Sequence, residues 1–116
     1  MTANIPTTQN SRFKIGWTVL IIIAALSILG HLTLIFVLSH EATLFVGYTA
    51  FELYAFGVLW IPFRRFEKWA WIITWILPGG LAFPAFNNPE IAIYYFSAAA
   101  LCTLGLLLTM PDFFKK

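Results

Sequence analysis

The chain has 116 residues, of which 60% are hydrophobic and only 10% are charged, and its net charge is +2. In soluble domains about a quarter of the residues are charged, so this composition excludes a soluble globular protein and predicts a single membrane domain. The basic residues are too few for a nucleic-acid surface, and they lie at the ends of apolar stretches. Cys102 is the only cysteine, which excludes a disulfide or a paired-cysteine redox site within one chain.

Four apolar stretches follow one another, each about as long as the 20 or so residues that a helix needs to cross a membrane. The sequence predicts a disordered polar tail at 1–13, spans at about 14–39, 41–61, 67–86 and 89–110, and a basic tail at 112–116. We expect the second and fourth helices to stop at Pro62 and Pro111, because proline cannot donate the helical hydrogen bond. The short connections predict an all-α, up-down-up-down bundle of four transmembrane helices.

The basic residues predict the orientation of these spans. They are Arg12 and Lys14 before the first span, Arg64, Arg65 and Lys68 between the second and third, and Lys115 and Lys116 after the fourth. The connections at residues 40–41 and 87–90 carry no lysine or arginine. Because basic residues favour the cytoplasmic side, we expect both termini in the cytoplasm.

Glu52 is the most informative polar residue, since it lies well inside the second span. A carboxylate at that depth costs on the order of 2.5–3.5 kcal/mol, so it should face the bundle interior and pair, or be protonated. In an antiparallel hairpin His31 lies at nearly the same depth and is the expected partner. Tyr48 and Thr49 share a helical face with Glu52, and we predict a cluster of these four side chains.

The third span contains Pro78-Gly79-Gly80. A broken helix at this depth is tolerated only inside protein or beside a cavity. The fourth span has a stripe of mostly small residues that reaches Tyr94. Together these features predict a polar pocket in the outer half of the bundle. Its candidate ligand-binding residues are His31, Glu52, Tyr48, Thr49, Pro78, Gly79 and Tyr94.

Three interpretations of this cluster stay open at the level of sequence. The His31–Glu52 pair fixes the register of the helices, or it helps to bind a small apolar ligand such as a quinone, or Glu52 exchanges protons in a small transporter. The sequence contains no catalytic arrangement, and two interior ligands are too few for a metal site. We therefore expect a non-enzymatic protein without a resident cofactor or metal.

The stretch from Pro62 to Trp71, PFRRFEKWAW, resembles the cytoplasmic turn of many small bacterial four-span membrane proteins. In size, span number and termini the chain also resembles the DoxX-like group, most closely over the second and third spans. This resemblance implies a four-span fold in the bacterial inner membrane and implies no activity.

The expected partners are membrane lipids, a second copy or another membrane protein, and a small apolar ligand, but no nucleic acid.

Overall fold

The computed structural model describes residues 7–87 and 89–114. This part of the chain contains helices and turns and no strand, which confirms the all-α prediction. The helices are α1 (Thr7–Val37), α2 (Ala42–Trp60), α3 (Lys68–Thr74), α4 (Ile76–Asn87) and α5 (Ala92–Phe114). A 3-10 turn at Ser39–Glu41 joins α1 to α2.

Within this described part of the chain, four helical segments are long and apolar enough to cross a membrane: Ser11–Val37, Ser39–Trp60, Lys68–Phe86 and Ala92–Phe114. The third of them combines α3 and α4. Large apolar side chains face outwards along these segments, and Leu26 and Phe36 are 60% and 81% exposed. Such a surface is suited to lipid rather than water. The structure therefore supports a multi-pass membrane protein.

The core lies around α1, which packs against α2 on one side and α5 on the other, while α4 packs against α5. Six apolar side chains from these four helices are fully buried in it. They are Leu20 and Ala24 of α1, Leu59 of α2, Leu77 of α4, and Cys102 and Leu106 of α5. Each helix thus contributes an apolar stripe to a shared interior.

Gly16 and Gly105 bring the backbones of α1 and α5 into contact. A Cβ atom on Gly16 would lie 2.6 Å from the carbonyl oxygen of Gly105, and a Cβ on Gly105 would lie 2.9 Å from that of Gly16. No side chain fits in either place. Small residues at helix crossings in membranes allow this close approach, from which packing gains its strength.

A cluster of four phenylalanines closes the end of the bundle that carries the basic residues. We call Phe13, Phe63, Phe66 and Phe113 the phenylalanine cluster. Its ring centroids are 4.7–6.2 Å apart, within the range of favourable aromatic pairs. Phe66 has a φ of 58°, the left-handed conformation that reverses the chain between α2 and α3.

The phenylalanine cluster explains why the predicted end of the fourth span is wrong. Helix α5 begins at Ala92 rather than Pro89 and continues through Pro111 to Phe114. Proline removes one backbone hydrogen bond at this point. The last turn nevertheless stays helical because Phe113 is almost completely buried among the other phenylalanines. Residues 115–116 of the predicted basic tail lie outside the described residues.

The beginning of α1 also differs from the prediction. The helix starts at Thr7, so residues 7–13 are helical rather than disordered, and residues 1–6 lie outside the described part. Once a helix exists, each further residue adds a hydrogen bond without a new nucleation cost. The apolar part of α1 therefore extends into a polar segment that has little helical preference of its own.

The interruption predicted in the third span is present, but one turn earlier than Pro78. Helix α3 ends at Thr74, and α4 begins at Ile76. Pro78 lies in the first turn of α4, where backbone N–H groups have no partner within the helix and proline costs little. Pro78 therefore starts a new helix rather than bending an existing one.

Candidate functional site

His31 and Glu52 form the pair that the sequence predicts. The imidazole Nδ1 of His31 lies 2.8 Å from Oε1 of Glu52. His31 is 5% exposed and Glu52 is completely buried. Helix α1 supplies the histidine and α2 the carboxylate, so this contact links the two helices in the bundle interior.

Tyr95 of α5 extends the pair to a third helix. Its hydroxyl lies 3.0 Å from Nε2 of His31, and its side chain is partly buried. Both ring nitrogens of His31 are thereby engaged. We call Glu52, His31 and Tyr95 the histidine cluster. It is a continuous line of hydrogen bonds through α2, α1 and α5.

Aromatic rings hold the imidazole of His31 in place. The ring of Tyr48 stacks on it at 5.1 Å between centroids with an interplanar angle of 16°. Phe45 and Tyr95 lie at 5.9 Å and 6.2 Å with angles of 23° and 24°. Since all three rings are nearly parallel to the imidazole, they leave it little freedom to turn. Tyr48 therefore belongs to the site through stacking.

The donors and acceptors in the histidine cluster depend on the proton count. An ionised Glu52 can only accept, so Nδ1 of His31 donates to it. Nε2 of a neutral imidazole is then an acceptor, and Tyr95 donates its hydroxyl hydrogen to it. When His31 carries a second proton, Nε2 donates to Tyr95 instead. The hydroxyl hydrogen of Tyr95 is then free for another acceptor.

The second carboxylate oxygen of Glu52 is buried and has no hydrogen-bond partner among the described residues. Burial of a polar atom without a partner costs free energy, and most buried polar side-chain atoms in proteins have at least one partner. An ionisable group at this depth in a membrane protein is therefore a starting point for a functional hypothesis.

A cavity of about 170 Å³ adjoins the histidine cluster. It lies between α1, α4 and α5 and is open to the surface, and its lining residues are Ser27, Gly30, His31, Leu34, Leu81, Tyr94, Tyr95 and Ala98. A cavity of about 150 Å³ accommodates benzene, so this one can hold a group the size of a single ring. His31 and Tyr95 contribute polar atoms to an otherwise largely apolar wall.

A larger groove of about 430 Å³ lies on the other side of Tyr48, between α2 and α4. Its walls are almost entirely apolar, with Gly47, Tyr48 and Phe51 of α2 facing Gly80 and Phe83 of α4. Phe51 approaches Gly80 so closely that a Cβ there would meet its ring at 2.9 Å. The groove lacks the paired polar groups that the smaller cavity has.

The structure distributes the remaining predicted site residues differently from the sequence. Thr49 is buried, but its hydroxyl donates to the carbonyl of Phe45 at 2.7 Å and so serves its own helix. Tyr94 lines the cavity but is 74% exposed. Pro78 is buried and Gly79 is exposed, and the α4 residue that lines the cavity is Leu81. Glu52 lies behind His31 rather than in the cavity wall.

Sequence reasoning missed Tyr95 because the predicted stripe of α5 left the buried face of the helix at its outer end. That stripe shares its last three residues with the buried face, but its first two steps, of four residues each, drift around a helix of 3.6 residues per turn. Its members are Tyr94, Ala98, Cys102, Gly105 and Thr109. The buried residues Ala99, Cys102, Leu106 and Thr109 instead alternate in steps of three and four. Extending that pattern back by four residues reaches Tyr95. The spacing of the buried residues in α5 could therefore have identified Tyr95 from the sequence.

Within residues 7–87 and 89–114, no group of three His, Cys, Asp or Glu side chains lies close enough together to hold a metal ion. No family model matches the chain, and no curated protein or solved structure matches it either. The resemblance to DoxX-like proteins stays a prediction from the sequence. The geometry of the site is accordingly the basis for any functional proposal.

Proposed function

We propose that the protein binds a small lipophilic ligand whose ring-sized head carries a hydrogen-bond acceptor, with quinones as the best-fitting class. One observation carries the proposal. Tyr95 borders a cavity of about 170 Å³ while its hydroxyl is tied through His31 to the buried Glu52. A mostly apolar pocket with a few convergent polar groups is typical of small-molecule sites.

The proposed placement in the membrane is an up-down-up-down bundle with both termini on the cytoplasmic side of a bacterial inner membrane. The contacts of α1 support the antiparallel order. Trp17 meets Leu59 and His31 meets Glu52, so positions rise along α1 as they fall along α2. The basic residues support the orientation. The cavity then lies in the outer half of the membrane.

In the proposed complex the head of the ligand lies against His31 and Tyr95, and its apolar tail leaves sideways past Ala98 into the lipid. A carbonyl oxygen accepts the hydroxyl hydrogen of Tyr95. That hydrogen is free when Nε2 of His31 donates a hydrogen bond to the Tyr95 oxygen instead of accepting one from it. The site thus selects a ligand whose head carries a hydrogen-bond acceptor. The Glu52–His31 pair makes the hydroxyl hydrogen of Tyr95 available to that acceptor.

Replacement of Tyr95 by phenylalanine tests the proposal, because it removes the hydroxyl and keeps the ring. With a short-chain benzoquinone as the probe and native mass spectrometry as the readout, Tyr95→Phe should weaken binding about tenfold, the loss of one hydrogen bond. Tyr54→Phe is the matched control and should bind as the unmodified protein does, because Tyr54 is exposed on α2 and does not line this cavity. Equal affinities of the two variants, or no quinone bound to the unmodified protein, would refute the proposal.

The unpartnered oxygen of Glu52 favours a second candidate function, a small proton-coupled transporter in which this carboxyl loads and releases the proton. Glu52→Gln should then abolish proton-coupled flux in proteoliposomes while the helical content stays unchanged. Glu41→Gln is the control, since Glu41 lies in the exposed turn between α1 and α2. Flux that survives Glu52→Gln would eliminate this candidate.

A further inference from the structure

A separate groove lies at the opposite end of the bundle from the histidine cluster, beside the phenylalanine cluster. Its volume is about 680 Å³, within the range of ligand sites. Helix α1, the end of α2 and the following turn form it. Its lining residues are Phe13, Lys14, Trp17, Thr18, Trp60, Arg64 and Phe66. The walls are aromatic, and Lys14 and Arg64 are the charged residues in them.

Two tryptophans hold the guanidinium group of Arg64. Its central carbon lies 5.4 Å from the ring centroid of Trp17 and 5.1 Å from that of Trp60. The Trp17 ring is itself fixed, because its indole N–H donates to the carbonyl of Leu59 at 2.7 Å. Cation–π contacts leave the N–H groups at the guanidinium edge available. Arg64 is therefore pre-positioned for an anion.

Among the described residues, no carboxylate forms an ion pair with the basic side chains of the groove. Within the described part of the chain, the ion pairs are His31–Glu52 and His40–Glu41, so Arg64 and Lys14 have no acidic partner there. Arg65 differs from its neighbour, since it lies in another depression of the surface that also contains Glu67. The surroundings of the two adjacent arginines thus differ, since Arg64 shares its groove with Lys14 and Arg65 shares its depression with Glu67.

We propose that this groove is a specific site for an anionic phospholipid. Arg64 and Lys14 bind the headgroup phosphate, with the fork of the guanidinium matching two phosphate oxygens. The Thr18 hydroxyl lies in the same groove as a further donor, and the indoles of Trp17 and Trp60 contact the upper part of the acyl chains. The basic ends of the helices place this chemistry at headgroup level.

A comparison of the adjacent residues Arg64 and Arg65 tests the proposed lipid site. The purified protein in detergent is titrated with phosphatidylglycerol or with phosphatidylcholine, and native mass spectrometry gives the dissociation constant of the first bound lipid. Phosphatidylglycerol should bind more tightly. Arg64→Gln should weaken its binding about fivefold, as expected for one basic residue near an anionic headgroup, and Arg65→Gln should have little effect. If Arg64→Gln does not fold, Lys14→Gln against Arg12→Gln makes the same comparison.

Three results would overturn this proposal. Equal losses in Arg64→Gln and Arg65→Gln would show a diffuse effect of charge rather than a site. Equal affinities for the two lipids would show that the groove recognises only apolar chains. Displacement of phosphatidylglycerol by millimolar glycerol phosphate would show a site for a soluble phosphate compound instead of a lipid.

Discussion

The phenylalanine cluster and the histidine cluster lie at opposite ends of one bundle and hold the helices together by different means. The phenylalanine cluster uses shape, since four apolar rings pack at 4.7–6.2 Å. The histidine cluster uses two directional hydrogen bonds of 2.8 Å and 3.0 Å, and a cavity adjoins it. The first arrangement resists change, whereas the second has room and donors for a ligand. The tightly packed phenylalanine cluster and the proposed quinone site are thus placed apart.

The largest loss of stability is expected in the phenylalanine cluster. Phe113→Ala removes a ring that is 3% exposed and leaves a void among the other rings, which costs about 4 kcal/mol. The matched control is Phe114→Ala, whose ring is 42% exposed. Unfolding in sodium dodecyl sulfate, followed by circular dichroism, measures both. Quinone affinity of the folded fraction should not change, and a loss of it would contradict the separation of the two regions.

A smaller loss, about 3 kcal/mol, is expected from His31→Leu. It leaves the buried carboxyl of Glu52 without its partner, which is more costly than removal of both groups. The double variant His31→Leu with Glu52→Leu should therefore be more stable than His31→Leu alone, although it binds no quinone. If the double variant is the less stable of the two, the pair contributes net stability, and the register-fixing interpretation gains support.

The smallest of the three effects concerns the helix crossing between the two clusters. Gly16→Ala places a Cβ atom 2.6 Å from the carbonyl oxygen of Gly105, so α1 and α5 must separate, at a cost of about 2 kcal/mol. Gly30→Ala, on the same helix but with no atom within 4 Å of the new Cβ, should be neutral or slightly stabilising. Equal stabilities in the unfolding assay would show that the crossing is not tightly packed.

Sequence reasoning succeeded where one physical constraint dominates. The thickness of a membrane determines the length of the spans, and the cost of a carboxylate in lipid requires a partner for Glu52, for which His31 had the right depth. It failed where packing between distant residues decides the outcome. The burial of Phe113 extends α5 past Pro111, and no local pattern around Pro111 indicates it.

Only part of the candidate site could be predicted from the sequence, and the reason is related. Stacking of Tyr48 on His31 follows from the shared helical face, but the choice between Tyr94 and Tyr95 depends on the rotation of α5 about its axis. That rotation is determined by contacts such as Gly105 with Gly16, which lie three turns away. The bond from the Trp17 indole to the Leu59 carbonyl likewise joins residues 42 positions apart.

The contact of Gly16 with Gly105 lies much nearer to Lys14 than to His31 along α1. A tilt of α1 about this contact would therefore move the two residues by different amounts. At 1.5 Å per residue, Lys14 lies about 3 Å from this contact along the helix and His31 lies about 22 Å from it. A tilt of about 5° about the crossing would displace His31 by about 2 Å and leave Lys14 almost in place. A small change in the angle of this crossing would therefore alter the hydrogen bonds of His31 much more than the position of Lys14.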